Sequence, residues 1–128
     1  MSPVRTPAGA DVAITAELRA WVSDECGRLL GAHDAAWVKR LRRRMRARFG
    51  EAPDEARLQA LVARYGEVSD FAYSVLGRFI SASKTGFAST QDVDSLALEA
   101  VVVERFPGEA PAEVRTLVGW AIVWGYLR

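Results

Sequence analysis

Apolar residues recur at helical spacing along most of the chain, and glycine and proline punctuate the pattern. Ile14, Leu18, Trp21, Val22, Cys26 and Leu29 share one face, which predicts a first helix over residues 11–30 with Gly31 as its stop. Asp34 suits an N-cap and Gly50 a terminator, so a second helix is expected over residues 34–49. A third opens with Pro53 at its first position and with Asp54 and Glu55 in its first turn, favourable against the helix dipole. It buries Leu58, Leu61, Val62 and Tyr65 and ends at Gly66. A fourth, over residues 69–80, turns Phe71, Ala72, Val75, Leu76 and Phe79 inward. A fifth starts near Ser89 or Thr90, where Ser89 and Asp92 are spaced like a capping box. It carries Val93, Leu96, Ala97, Ala100 and Val101 and stops before Pro107 and Gly108. A sixth begins at Pro111, has Glu113 in its first turn and runs to the end of the chain. No period-2 stretch predicts a strand. The expected fold is all-α, a compact bundle of about six helices.

The last of these helices is apolar nearly all round, from Leu117 and Val118 through Ala121, Ile122 and Val123 to Leu127. Such a helix is either central or covered by another chain, so Trp120, Trp124 and Tyr126 form the candidate protein interface. Its apolar run, residues 117–127, falls short of the roughly 18 residues that a membrane span needs. Residues 1–10, with Pro3, Pro7 and Gly9, read as a flexible tail ahead of a single helical domain over residues 11–128. No apolar segment follows Arg5 closely enough for a secretory signal.

A chain of 128 residues holds one domain with its own core. Being 50% apolar and 26% charged, it is neither disordered nor fibrous. One cysteine, Cys26, makes no internal disulfide, and a reducing, cytoplasmic setting is expected. With His33 it is the only soft ligand, so no metal is expected. Residues 83–86, SKTG, have the outline of the end of a phosphate-binding loop. Ser83 stands where that loop needs glycine, and no strand precedes it, so a plain surface loop is expected and no nucleotide cofactor. His33 is expected at the surface. No paired carboxylates or activated nucleophile appear, and the chain reads as a non-enzyme.

Residues 37–50, WVKRLRRRMRARFG, carry the strongest chemical signal. Seven of the seventeen basic residues lie between Lys39 and Arg48, six of them arginine, with no acid among them. At 100° per residue, Trp37, Val38, Leu41, Met45 and Phe49 occupy an apolar arc about 120° wide. Lys39, Arg40, Arg42, Arg43, Arg44 and Arg46 fill the rest, and Arg48 falls on the apolar side, where it snorkels outward or bonds the last carbonyls. With a net charge of only +1, sixteen acids are available to neutralise this face from neighbouring helices. Against that reading, like charges at i,i+4 (Lys39 with Arg43, Arg40 with Arg44, Arg42 with Arg46) each cost the helix roughly 0.2–0.5 kcal/mol. Solubility does not require them, and arginine suits forked phosphate contacts.

The face is therefore expected to bind nucleic acid, RNA or single-stranded DNA, through phosphates and without reading base sequence. Trp37 and Phe49 lie on the apolar side, so no stacking platform is interleaved with the cations. An anionic membrane surface is not the expected partner, because the apolar arc is narrow and is needed for the core. One alternative is an adaptor whose arginine face meets an acidic protein. Another is a helix-turn-helix DNA-binding protein over residues 58–76, with Gly66 in the turn and Ser69 capping the second helix. Its outward residues, Asp70, Tyr73, Ser74 and Arg78, equip a major-groove reader poorly.

With the basic face of residues 39–48 and the packing helix of residues 117–127, the chain resembles the small all-helical subunits of CRISPR effector ribonucleoprotein complexes. The resemblance is architectural, extends from the first helix to the last and includes no diagnostic motif. It implies a non-enzymatic subunit of an antiviral assembly that touches nucleic-acid backbone and packs against other subunits or further copies of itself.

Overall fold

Four helices begin where a side-chain oxygen accepts a free N–H of the first turn. Thr15 Oγ1 accepts from Leu18 N at 3.2 Å, Asp34 Oδ1 from Trp37 N at 2.8 Å, Asp54 Oδ1 from Arg57 N at 2.8 Å and Asp94 Oδ1 from Ala97 N at 3.1 Å. The computed structural model describes residues 14–29, 33–80 and 93–127. They form α1 (Ala16–Gly27), α2 (Ala35–Phe49), α3 (Glu55–Val75), α4 (Ser95–Arg105) and α5 (Pro111–Leu127), with a 3-10 turn over Leu76–Phe79 after α3. Among the described residues the one extended pairing is an antiparallel bridge between Ile80 and Val93. The chain is all-α.

The expected tail of residues 1–10, the stop at Gly31, the SKTG loop and the capping box at Ser89 and Asp92 all lie outside the described residues. Elsewhere, the ends of α2 and the start of α5 fall where the sequence places them. Gly50 closes α2 in the left-handed conformation, φ 79°, and its N–H bonds the Arg46 carbonyl at 2.9 Å. Pro111 opens α5.

Several expectations are corrected, and the first helix, expected over residues 11–30, is α1 from Ala16 behind a Thr15 cap to Gly27. The helices expected on either side of Gly66 are one helix of 21 residues, α3, so the helix-turn-helix outline has no turn. A mid-helix glycine costs about 1 kcal/mol relative to alanine. The buried series Leu58, Val62, Tyr65, Ser69, Ala72 keeps helical register across it and outweighs that cost. Pro53 lies outside α3, because Asp54 is the cap and Glu55 the first helical residue. Val93 is in the bridge and Asp94 caps α4, which starts at Ser95. With five α-helices among the described residues, the count is one lower than expected.

α5 lies at the centre. It packs against α1, α3 and α4, and buries Val114, Leu117, Val118, Ala121 and Ile122. Its two indoles face α1. Trp120 Nε1 donates to Asp24 Oδ1 at 2.8 Å and Trp124 Nε1 to the Gly27 carbonyl at 2.9 Å. The residues offered as a protein interface thus divide: Trp120 and Trp124 join α1 to α5, and Tyr126 is 45% exposed. Gly27 is where this contact becomes closest. A Cβ there would stand 2.5–2.9 Å from Cδ1, Cγ and Cβ of Trp120.

His33 is partly buried rather than at the surface. Its Nε2–H donates to the Cys26 carbonyl at 3.1 Å, and its ring meets Trp37 edge to face at 4.4 Å. Burial pushes the imidazole below its ordinary value of 6.5, against the opposing pull of the Cys26 carbonyl and Asp70. Burial also pushes the Cys26 thiol up to about 12, so it stays protonated.

Two outcomes follow from this packing. Gly27→Ala should destabilise the fold by about 1–3 kcal/mol, because the Asp24 bond holds the Trp120 ring where the methyl would go. Denaturant unfolding followed by tryptophan fluorescence measures it, and parental stability would show that the α1–α5 contact gives way freely. The second concerns pH. The unfolded chain binds the His33 proton more readily than the folded one. The stabilising contribution is therefore present above 6.5 and is lost as the pH falls through the depressed folded-state value. Between about pH 7.5 and 5.5 the parent should lose more stability than His33→Gln. Equal losses in thermal melts would remove His33 from the pH response.

Candidate functional site

α2 meets the rest of the fold along one stripe. Val38, Leu41 and Met45 are buried, while Trp37 and Phe49 flank them, partly buried. Its backbone packs on α3 and approaches no other helix among the described residues. It reaches α1 only through side chains, with Phe49 edge to face against Trp21 at 5.6 Å. The opposite face of α2 is left to solvent.

The seven basic residues of this helix fall into two groups. Three are engaged inside the fold. Arg44 makes a forked pair with Glu25 of α1, both bonds 2.9 Å, and its guanidinium lies 5.5 Å from the centre of the Trp21 ring. Arg42 is partly buried and donates from Nε to the Pro53 carbonyl at 2.7 Å. Arg48, expected to snorkel or to bond the last carbonyls, is exposed and lies over the Phe49 ring at 5.4 Å. The other four, Lys39, Arg40, Arg43 and Arg46, are exposed. Among the described residues, Arg44 is the one member of the run with an ion pair. Direct ion pairing with a neighbouring acid thus reaches one cation of seven among the described residues. Of the six residues assigned to phosphate contact from sequence, Arg44 is held by Glu25.

A groove of about 380 Å³ runs beside this face, lined by Lys39, Arg42, Arg43 and Arg46 of α2 and by Glu55 at the start of α3. The Arg42–Pro53 bond ties the middle of α2 to the loop before α3, and this brings the two helices together at the groove. The positive end of the α3 dipole adds to the field of the cations there. Glu55 was legible in the sequence only as a favourable first-turn acid. Its place among the cations depends on the Gly50 turn and the Asp54 cap, two local signals whose combined angle no periodicity records.

A second cleft, about 280 Å³, is lined by Arg19, Arg64, Tyr65, Glu109 and Glu113. Arg64 pairs with Glu109 there. Burial, followed by the charge of Glu113, pushes the Tyr65 hydroxyl well above its usual range, so it supplies no base at neutral pH. No group of three or more His, Cys, Asp or Glu among the described residues could hold a metal ion. No helix among them is long and apolar enough to cross a membrane. Comparison with known proteins finds no matching family model, curated protein or solved structure.

The division among the arginines has a consequence for stability. Arg44→Ala removes an exposed forked pair and a ring contact and should cost about 0.5–1.5 kcal/mol. Arg43→Ala should be neutral within about 0.5 kcal/mol. Urea midpoints of the two variants distinguish them, and equal midpoints would show that the Glu25 pair does not anchor α2.

Proposed function

We propose that the chain is a non-enzymatic helical subunit that binds nucleic-acid phosphates through the outer face of α2, without sequence specificity. In this reading it works inside a larger assembly, as the small subunits of CRISPR effector complexes do. The observation that carries the reading is the set of exposed cations on α2, Lys39, Arg40, Arg43 and Arg46, without an ion pair on the described chain. Arg44 is engaged by Glu25, whereas these four are held exposed together on one rigid helix. The groove beside it presents four basic side chains in a row, and guanidiniums on phosphates carry no base information.

Four phosphate contacts on a single strand, at about −0.7 each, give a slope of log affinity against log salt of about −2.8. A threefold rise in salt should then weaken binding roughly 20-fold. Changing base sequence at constant length should leave affinity almost unchanged. Replacing Lys39, Arg43 and Arg46 together by Glu should abolish binding and preserve helicity. Arg42 is excluded from that set because it holds the Pro53 carbonyl. Fluorescence anisotropy with labelled oligonucleotides measures all three effects. Undiminished binding by the triple variant would remove this face as the site. An acidic protein recovered with the chain, and no nucleic acid, would favour the adaptor reading.

A further inference from the structure

The groove holds one residue that phosphate binding does not use. Glu55 lines it together with Lys39, Arg42, Arg43 and Arg46. Its Oε1 is buried and accepts no hydrogen bond among the described residues. A buried acceptor without a donor is costly, more so when it carries charge. A bare phosphate would add a second anion beside it and supply no donor. The site therefore matches a ligand that offers a hydrogen-bond donor next to its phosphates. On a nucleic-acid strand, the donor that stands beside every phosphate whatever the base is the ribose 2′-hydroxyl, which DNA lacks. The last torsion of a glutamate side chain is soft, so either carboxylate oxygen can turn toward such a donor.

We infer that Glu55 accepts the 2′-hydroxyl of an RNA strand whose phosphates lie along Lys39, Arg42, Arg43 and Arg46, so that the groove selects RNA over DNA. The inference rests on the phosphate-binding reading above and deepens it. The cations hold the strand, and the carboxylate among them taxes every strand equally through its charge. Only a ribose recovers that loss by donating to it. Selectivity between the two nucleic acids then comes from one acidic residue in a basic groove, without any contact to a base.

The test compares short oligouridine, oligodeoxyuridine and 2′-O-methyl oligouridine of one length, by anisotropy at one salt concentration. The three share the same base, and the methylated strand keeps the 2′ oxygen without its proton. The ribo strand should bind about tenfold more tightly than either of the others, the size expected for one hydrogen bond to a charged acceptor. In Glu55→Ala the deoxy and methylated strands should bind more tightly than to the parent, the ribo strand should bind about as tightly as before, and the ratio should fall to about one. Glu55→Gln, which keeps a side chain of the same length at the start of α3, serves if the alanine variant does not fold. It should also tighten the deoxy strand and shrink the ratio. Equal parental affinity for ribo and deoxy strands would overturn the role of Glu55 and leave phosphate binding standing. A ribo preference undiminished in both variants would overturn it as well. Failure of every oligonucleotide to bind would overturn both readings together.

Discussion

Helix α5 leaves a narrow stripe through Ala112, Arg115 and Gly119 to solvent, and the rest of the fold is arranged to cover its other sides. α1, α3 and α4 each pack against it. Cover alone is insufficient, because Trp120 and Trp124 carry N–H groups that need acceptors once water is displaced. Asp24 and the Gly27 carbonyl provide them from a single turn of α1. Asp24 also holds Arg28 through its second oxygen, and Arg28 lies 5.3 Å over the Trp120 ring. The approach that this network demands leaves no room for a side chain at position 27. One glycine therefore sets how closely the first and last helices meet.

Once α5 is covered by those three helices, α2 has no place at the centre. It packs on α3 through Val38, Leu41 and Met45, and its other face is exposed as a geometric consequence. Burying side chains of this size is worth about 1.5–3 kcal/mol each. Three like-charge pairs at i,i+4 cost roughly 0.2–0.5 kcal/mol apiece. The apolar stripe wins by a clear margin, so the fold tolerates the cationic face. Tolerance is not need: Lys39, Arg40, Arg43 and Arg46 could be neutral without loosening any contact described here. That asymmetry is what the phosphate-binding proposal rests on.

Features set by a few neighbouring residues were legible in the sequence. The Asp34 cap, the Gly50 terminator and the Pro111 start depend on local backbone preference. The apolar stripe of α2 depends only on its own period. Reading failed where a distant partner decides. Gly66 reads as a break because glycine is locally costly, yet the core needs Val62 below it and Ser69 above it in one register. His33 stands between Ala32 and Asp34, outside any helical apolar period that would announce burial, and its place depends on the Cys26 carbonyl, seven residues back, and on the Trp37 ring. Arg44 is indistinguishable from Arg43 along the chain. Only the position of Glu25 on another helix separates the engaged arginine from the exposed one.

The same separation explains how a nearly neutral protein presents a basic surface. The net charge is +1, yet acids and cations are not mixed evenly. Asp24 pairs with Arg28 within α1, Glu99 with Arg115 between α4 and α5, and Glu109 with Arg64 of α3. Each of these acids is matched to a cation of its own neighbourhood and none to α2. Screening at physiological salt confines a surface field to about 8 Å. A phosphate approaching the groove therefore responds to Lys39, Arg42, Arg43 and Arg46 and hardly to acids already paired on other helices. The acid that lines the groove itself is Glu55. Net charge averages away the contrast that matters, which is four cations and one carboxylate lining the same groove.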